Sequence, residues 1–504
     1  MRKAYSTLLP YIYALLAGLA LPFAFAPYNQ FWLALIIPAI LWHLLQSSSP
    51  RKALWQGFIF GIGLFSLGVS WVYNSIHVYG QTPALTAIAI TAAFVLVLAI
   101  FFAGFAYSIV KLMKGLPVNF RSLIAYPSLW VLWEALRGWA FTGFPWLFIG
   151  YTQIDAPLVG FAPIVGIYGI SWLTVFSAGL LLYIIKVPNL RSKIGVGIFF
   201  LMLQLTGWLL QHVHWTKALG NPIDVVLVQP NTPQELKWVS ANTPKIIDNL
   251  VTLSKPYFIK NNQIIIWPEA AIPLPISYAK PLLDELALLA REHNNTFITG
   301  ILNRAEEKRF YNSILAVGNS NGIYYKQHLV PFGEYIPFED HLGKIFKVLS
   351  IPMPATQAGD DMQFGLQAGN LQISPAICYE IAYPSLTWSN FIMARADLLL
   401  TISNDTWFGD SLGPHQHLQI ARMRALELGR YLLRGTNNGM TAIIDEQGKV
   451  TALAPRFQAT VLTGTAEARE GKTPLGYYGH GIVLLFIGLL AFGIYYLQMF
   501  HKSR

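Results

Sequence analysis

The chain has 504 residues, of which 54% are hydrophobic, 14% aromatic and only 12% charged. A soluble globular domain carries roughly 25% charged residues, and the mean hydropathy here is +0.45. These values exclude a disordered chain, a coiled coil and an ordinary soluble enzyme, and they point to an integral membrane protein.

Taken from the N-terminus, seven stretches approach the about 20 apolar residues that a span needs: 8–26, 30–46, 56–76, 84–110, 122–140, 162–185 and 194–211. An eighth, 480–500, closes the chain. The first follows Arg2 and Lys3, as a signal peptide would, but no small-residue cleavage site follows and further spans begin at once, so it is read as retained. The expected architecture is thus a multi-pass α-helical membrane domain of about eight spans. Seven of them lie in residues 1–215, and the last is the C-terminal helix 480–500.

The net charge of +10 is unevenly spread. Residues 1–215 hold 11 Lys and Arg against two acidic residues, Glu134 and Asp155, whereas the remainder holds 24 basic and 23 acidic residues. The basic residues sit at the N-terminus (Arg2, Lys3), after span two (Arg51, Lys52), after span four (Lys111, Lys114, Arg121), after span six (Lys186, Arg191, Lys193) and in the tail. The alternate loops 27–29, 77–83 and 141–161 contain no Lys or Arg. By the positive-inside rule both termini are expected to be cytoplasmic, and seven spans then put residues 212–479 on the outer face. The basic balance therefore reflects loop asymmetry and gives no reason to expect nucleic-acid binding. Glu134 and Arg137 stand three apart inside span five, a spacing at which side chains share a helix face. They read either as a structural pair or as a polar opening for a lipid headgroup.

From about residue 221 the texture changes. IDVVLVQPN, QIIIWPEAA, TFITGIL, NSILAVG, GIYYKQHLVP, LQISPAICYE, DLLLTISND and MTAIIDEQGKV are short β-rich runs ended by polar or turn residues. Helical patterns at 242–260, 280–293 and 415–430 lie between several of them. Residues 221–470 are expected to form one α/β domain with buried strands under helices. There is no GxGxxG, Walker loop or HExxH. The single cysteine, Cys378, excludes an intrachain disulfide and a Cys-based zinc cluster. His415 and His417 have no supporting ligand cluster at metal spacing, so neither metal nor cofactor is expected.

The chemical signal lies at strand ends. Cys378 follows LQISPAI, Glu269 follows IIIWP and Lys326 follows GIYY. A thiol, a carboxylate and an ammonium just past buried strands are expected to converge at one edge of a sheet, where sites form in open α/β folds. A free thiol has a pKa near about 8.5 and needs a base or a cation to become a nucleophile. Glu269 is placed to take its proton. Lys326 is placed to stabilise the thiolate and then an oxyanion, helped by a backbone N–H such as that of Tyr379.

At these residues the sequence resembles the nitrilase superfamily of carbon–nitrogen hydrolases, and within it the membrane-embedded apolipoprotein N-acyltransferase family. The matching segments are TGFPWL (142–147), QPNTPQELKW (229–238), WPEAA (267–271), KQHLVPFGEYIP (326–337), ICYE (377–380), SNDTWFG (403–409), GPHQHLQIARMRALE (413–427) and TNNG (436–439). The resemblance implies an α-β-β-α sandwich carrying a Glu269–Lys326–Cys378 triad as base, oxyanion-stabilising lysine and nucleophile. It further implies supporting roles for Glu334, Tyr379 and Glu380, and for Trp238 and Trp407.

The implied reaction is a two-step transfer. Cys378 takes the sn-1 acyl chain of a phospholipid, with phosphatidylethanolamine favoured, and passes it to the N-terminal amine of a diacylated apolipoprotein. The implied setting is the bacterial inner membrane with the catalytic domain in the periplasm, and the protein is expected to act as a monomer. Apolar loops around 334–358 are expected to cover the site and touch lipid. The competing readings are a membrane-tethered amidase or nitrilase that sends water to the thioester, and a non-enzymatic receptor or transporter with a degenerate outer domain.

Overall fold

The computed structural model describes residues 2–305, 309–337 and 356–502. The chain divides into two compact units. The first comprises Met1–His214, Phe408–Gln419 and Tyr477–Arg504, and the second comprises Trp215–Trp407 and Ile420–Gly476.

The first unit is helical. Every apolar stretch read from the sequence contains a helix, yet they are not equivalent. By length and composition four described helices suffice to cross a membrane: Ala84–Leu112, Pro157–Lys186, Leu190–Leu210 and Pro474–Gly493. A fifth counts if Pro50–Gly68 and Trp71–Tyr79, bent by 54°, make one span. Leu8–Ala24 and Leu33–Gln46 are shorter, and the fifth expected span contains only Tyr126–Arg137, 12 residues, as regular α-helix. The finding is therefore a helical part with four to five apolar spans, not eight of equal standing. Length alone separates the two, because hydropathy does not register where a helix is interrupted.

Helices approach closely where glycine permits. A Cβ on Gly57 would lie 2.2 Å from the Phe102 carbonyl oxygen, and one on Gly61 would lie 2.7 Å from the Cα of Ala99. Small residues at such crossings let backbones pack without a hydrophobic drive between helices. Glu134 and Arg137 are both buried, and both are spent on one loop. Arg137 Nη1 donates to the Phe144 carbonyl at 2.8 Å and also to that of Trp146. Glu134 Oε1 accepts from Ile149 N at 2.8 Å and from Trp130 Nε1 at 3.0 Å. Of the two sequence readings these bonds support the structural one, with the two side chains anchoring a loop as well as sharing a helix face. His417 is fully buried, with its ring against Trp146 and Phe408, and Gln416 Oε1 accepts from Trp146 Nε1 at 2.6 Å. That packing explains why Phe408–Gln419 belongs to the helical unit.

In the second unit the strands run β1 (Lys217–Ala218), β2 (Ile223–Gln229), β3 (Gln263–Ile266), β4 (Ile272–Pro275), β5 (Thr296–Arg304), β6 (Phe310–Gly318), β7 (Ser320–Asn321) and β8 (Ile323–Tyr325). They continue with β9 (Leu366–Ala368), β10 (Leu371–Ile377), β11 (Leu398–Ser403), β12 (Leu432–Thr436), β13 (Ala442–Ile444), β14 (Val450–Leu453), β15 (Thr460–Ala466) and β16 (Arg469–Glu470). One seven-stranded sheet has the order β15-β2-β3-β5-β6-β8 with β4 beside β5. The other, also seven-stranded, has the order β14-β13-β12-β11-β10-β9-β7.

Alternation explains the layering. In β2, Val225 and Leu227 join Leu366, Ile377 and Leu400 of the second sheet in one core. Val226 and Val228 instead meet Ile246, Leu250 and Leu286 of the helices Thr243–Phe258 and Ile276–Glu292. A period of two thus sends successive residues to opposite faces. The helix Pro384–Ala394, which has no counterpart in the sequence reading, packs on β10. The three expected helices are found at Thr243–Phe258, Ile276–Glu292 and Gly413–Leu428. The short strands β9 and β14 and the edge strand β15 were not anticipated. Their partly exposed or brief patterns carry little apolar periodicity.

Candidate active site

The site forms where two sheets end side by side, which corrects the expectation of a single sheet edge. Glu269 and Lys326 follow β3 and β8 of the first sheet, whereas Cys378 follows β10 of the second. Parallel pairing sets β10 beside β11, with Ile377 opposite Ile402. Cys378 and the Ser403–Asn404 turn therefore leave their strands at the same level.

The nucleophile candidate sits on a strained bend. Cys378 has φ of +54° and begins a single 3₁₀ turn, Cys378–Ala382. A non-glycine residue in this region stores about 1–3 kcal/mol, and such strain gathers at functional sites. The residue is half-buried. Burial, followed by the negative charge of Glu269, pushes its thiol up to about 12, while Lys326 and a Ser403 hydrogen bond pull the other way. At rest the sulfur therefore carries its proton. Movement of that proton to Glu269 removes the very charge that opposed ionisation.

Glu269 is held with both oxygens occupied. Oε1 accepts from Asn312 Nδ2 at 2.8 Å, and Oε2 accepts from the backbone N–H of Asn404 at 2.7 Å. The next residue, Ala270, has φ of +43°. The turn carrying them lies against Gly300 of β5, where a Cβ would come within 2.4 Å of the Pro268 oxygen and 2.7 Å of the Glu269 Cα. Only glycine admits this approach.

Lys326 is 1% exposed and lies among carboxylates. Its Nζ is 2.8 Å from each Glu334 oxygen and 3.8 Å from Glu269 Oε1. Burial works against the ammonium, but Glu334, Glu269 and Cys378 outweigh it and raise its pKa, so it stays charged. Glu334 also accepts from Val330 N at 2.8 Å, which ties the turn Pro331–Tyr335 to the lysine.

Glu380 is fully buried and joins the two strand ends. It accepts from Ile377 N at 2.6 Å, from Gln327 N at 2.6 Å, from His328 N at 3.1 Å and, at both oxygens, from Tyr324 Oη at 3.1 Å. One carboxylate thus fixes the residues that follow Lys326 against the turn that carries Cys378. Burial pushes it up to about 7. The Tyr379 ring packs in an aromatic group with Tyr383, at 5.1 Å between centroids, and with His328.

The other two aromatic candidates are exposed. Trp238 is 53% exposed after the short helix Gln234–Lys237, and Trp407 is 39% exposed in the turn Asp405–Phe408. The loop expected over the site, 334–358, lies mostly outside the described residues.

Three contributors were not singled out from the sequence. Asn312 reaches Glu269 and, at 3.3 Å, Glu334 with one amide nitrogen. Asn404 and Lys237 both hold Glu269, the latter through its main-chain carbonyl at 2.9 Å. Their only sequence signal is a polar residue beside a buried strand or a matched motif. Behind Cys378, Ser403 Oγ donates to Asp405 Oδ1 at 2.7 Å, and Asp405 is paired at 2.8 Å with a fully buried Arg434.

The family model described as carbon–nitrogen hydrolase matches residues 225–472, the part of the chain in which a thiol, a buried carboxylate and a buried ammonium follow strands of two stacked sheets. The model described as the apolipoprotein N-acyltransferase N-terminal domain matches residues 17–180. The chain belongs to the apolipoprotein N-acyltransferase family. It is 38% identical to the apolipoprotein N-acyltransferase of Coxiella burnetii across 95% of this chain and 99% of that one. It is 40% identical to that of Pseudomonas putida across 92% and 91% of the two chains, and equally to that of Azotobacter vinelandii across 92% and 90%. Among solved structures, a carbon–nitrogen hydrolase superfamily protein from Xanthomonas campestris is similar at TM-score 0.38 and 20% identity, over 49% of this chain and 92% of that chain. The family and the apolar helices together make this a membrane protein.

Proposed function

We propose that the protein transfers an acyl chain from a phospholipid to the N-terminal amine of diacylated apolipoproteins, through a thioester on Cys378. The observation that carries this reading is the clustering of Glu269, Lys326 and Cys378 at the ends of two sheets in a chain of the apolipoprotein N-acyltransferase family.

In the first half-reaction the Cys378 proton passes to Glu269 and the thiolate attacks the sn-1 ester carbonyl. The negative charge that develops on the carbonyl oxygen is met by the Lys326 ammonium and a backbone N–H at the Cys378 turn, that of Tyr379 being the candidate. Collapse breaks the ester C–O bond, and the lysophospholipid alkoxide leaves with the proton held by Glu269. In the second half-reaction the free α-amine attacks the thioester and gives its proton to Glu269. The C–S bond breaks, the amide forms and the proton returns to sulfur. Dividing the transfer in two lets one nucleophile serve two partners that never meet.

Both partners keep acyl chains in lipid, and each CH₂ withdrawn into water costs about 0.8 kcal/mol. The reading therefore needs a site that meets a lipid surface. Exposed Phe332 on the turn that carries Glu334, together with exposed Trp238, Met362 and Phe364, supports it. We assign Glu334, Glu380 and Tyr379 to holding Lys326 and the Cys378 turn, and Trp238 and Trp407 to substrate contact. The basic loops support cytoplasmic termini for the helical part, residues 1–215 with the C-terminal helix 480–500. They likewise support an outer catalytic domain, residues 221–470, on the periplasmic side of a bacterial inner membrane.

Intact mass measurement of the purified protein with phosphatidylethanolamine tests the reading. Wild type is expected to gain an acyl mass that Cys378→Ser lacks, and a diacylated lipopeptide is expected to discharge it as a triacylated product. Steady release of free fatty acid without discharge to the lipopeptide would assign the protein to hydrolysis instead.

A further inference from the structure

Two buried lysines reach Glu269, and they are held in opposite ways. Lys326 has carboxylates at 2.8 and 3.8 Å. Lys237, 2% exposed, donates from Nζ to the main-chain carbonyl of Glu269 at 2.9 Å, and among the described residues this neutral oxygen is its only hydrogen-bond acceptor. An ammonium has three donors, and a buried charge is costly unless it serves an anion. The helix that carries it, Gln234–Lys237, has a second hold on the same turn: buried Gln234 accepts from Asn404 Nδ2 at 2.7 Å, and the Asn404 backbone N–H binds Glu269 Oε2.

We propose that Lys237 is a positioning residue of the thiol site, a second cation that pins the main chain at Glu269–Ala270 and whose charge favours the thiolate of Cys378. The proposal rests on the acyl-transfer reading for its purpose, though not for its test. The titratable groups that face Lys237 are the carboxylate after β3 and the thiol after β10, and both attract its charge. Burial nonetheless pulls Lys237 down to about 8, so its charge is lost as the pH rises through that value. Lys326, neutralised by two carboxylates, keeps its charge there. The site thus holds one permanent cation and one that titrates.

The test is alkylation of Cys378 by iodoacetamide in the full-length protein in detergent, followed by intact mass, for wild type, Lys237→Met and Lys237→Arg, each with its melting temperature. Well below the thiol pKa the rate follows the thiolate fraction, so loss of the charge should slow Lys237→Met about tenfold at about pH 7, while Lys237→Arg stays near wild type. At about pH 9.5 the gap between wild type and Lys237→Met should narrow, and Lys237→Arg, which cannot titrate, should outpace wild type. A Lys237→Met rate equal to wild type at neutral pH overturns the proposal. So does a Lys237→Arg to wild-type ratio that does not change with pH, and this second measure holds even if Lys237→Met fails to fold. Failure of phospholipid to acylate wild type would overturn the acyl-transfer reading and leave this comparison intact.

Discussion

Both carboxylate oxygens of Glu334 lie 2.8 Å from the Lys326 ammonium, a full ångström closer than the nearest Glu269 oxygen. Glu334 thereby balances the lysine, and in the proposed reaction this spares the Glu269 carboxylate for the thiol proton. Were Glu334 neutral, Lys326 would draw toward Glu269 and tie up the base. Glu334→Gln is therefore expected to slow acyl-enzyme formation by about 10²-fold, the scale of losing one aligned electrostatic group. Time-resolved intact mass with phospholipid checks it; an unchanged rate would mean that Lys326 needs no second carboxylate.

Glu269 raises the thiol pKa, and in the proposed reaction it is also the base. Glu269→Gln should therefore have two opposite effects. Acyl transfer should vanish, because no group remains to carry the proton. Alkylation of Cys378 by iodoacetamide at about pH 8 should become faster than in wild type, since removal of the carboxylate charge lowers the thiol pKa and increases thiolate. Slower alkylation would place the burial of the sulfur, and not the carboxylate, in control.

Gly300 has no room for a methyl group beside Pro268 and Glu269. Gly300→Ala must push the turn off β5, at a cost of about 1–3 kcal/mol for overpacking. Displacing the carboxylate by even about 1 Å is expected to reduce acylation by about 10²-fold. A melt and a single-turnover assay on the same preparation check this, and a variant with a lowered melting temperature but full activity would contradict it.

Glu380 makes stability depend on pH in a definite direction. Its folded pKa, pushed up to about 7, exceeds the unfolded value of about 4.3. The native state then binds more protons between those values, so the contribution of this group is complete below about pH 4.3 and falls as pH rises through about 7, by about 4 kcal/mol in all. Comparing the melting temperatures of wild type and Glu380→Gln across that range, the advantage of wild type should shrink with rising pH. An advantage that grows would mean that the four donors at Glu380 outweigh its burial.

Much of the site was readable because its chemistry is local. Cys378 follows LQISPAI, Glu269 follows IIIWP and Lys326 follows GIYY, and a buried strand followed by a reactive side chain is a pattern of adjacent residues. Asn312, Asn404 and Lys237 carry no such mark. Each matters only because it reaches Glu269 from 43, 135 or 32 residues away. Hydropathy likewise located the apolar stretches but not the bend after Gly68 or the short regular helix Tyr126–Arg137.

By itself the sequence determined that this chain enters a membrane, that an α/β domain follows the first apolar half and that a thiol, a carboxylate and an ammonium end three of its strands. Composition and periodicity act residue by residue along the chain, so they survive without coordinates. Only the tertiary structure decided that two sheets, not one, deliver those groups, that Glu334 rather than Glu269 holds Lys326 most closely, and that Cys378 and Ala270 bend through left-handed backbone. These are consequences of register and of which strand faces which, and distances of a few ångströms between remote residues are set when layers pack.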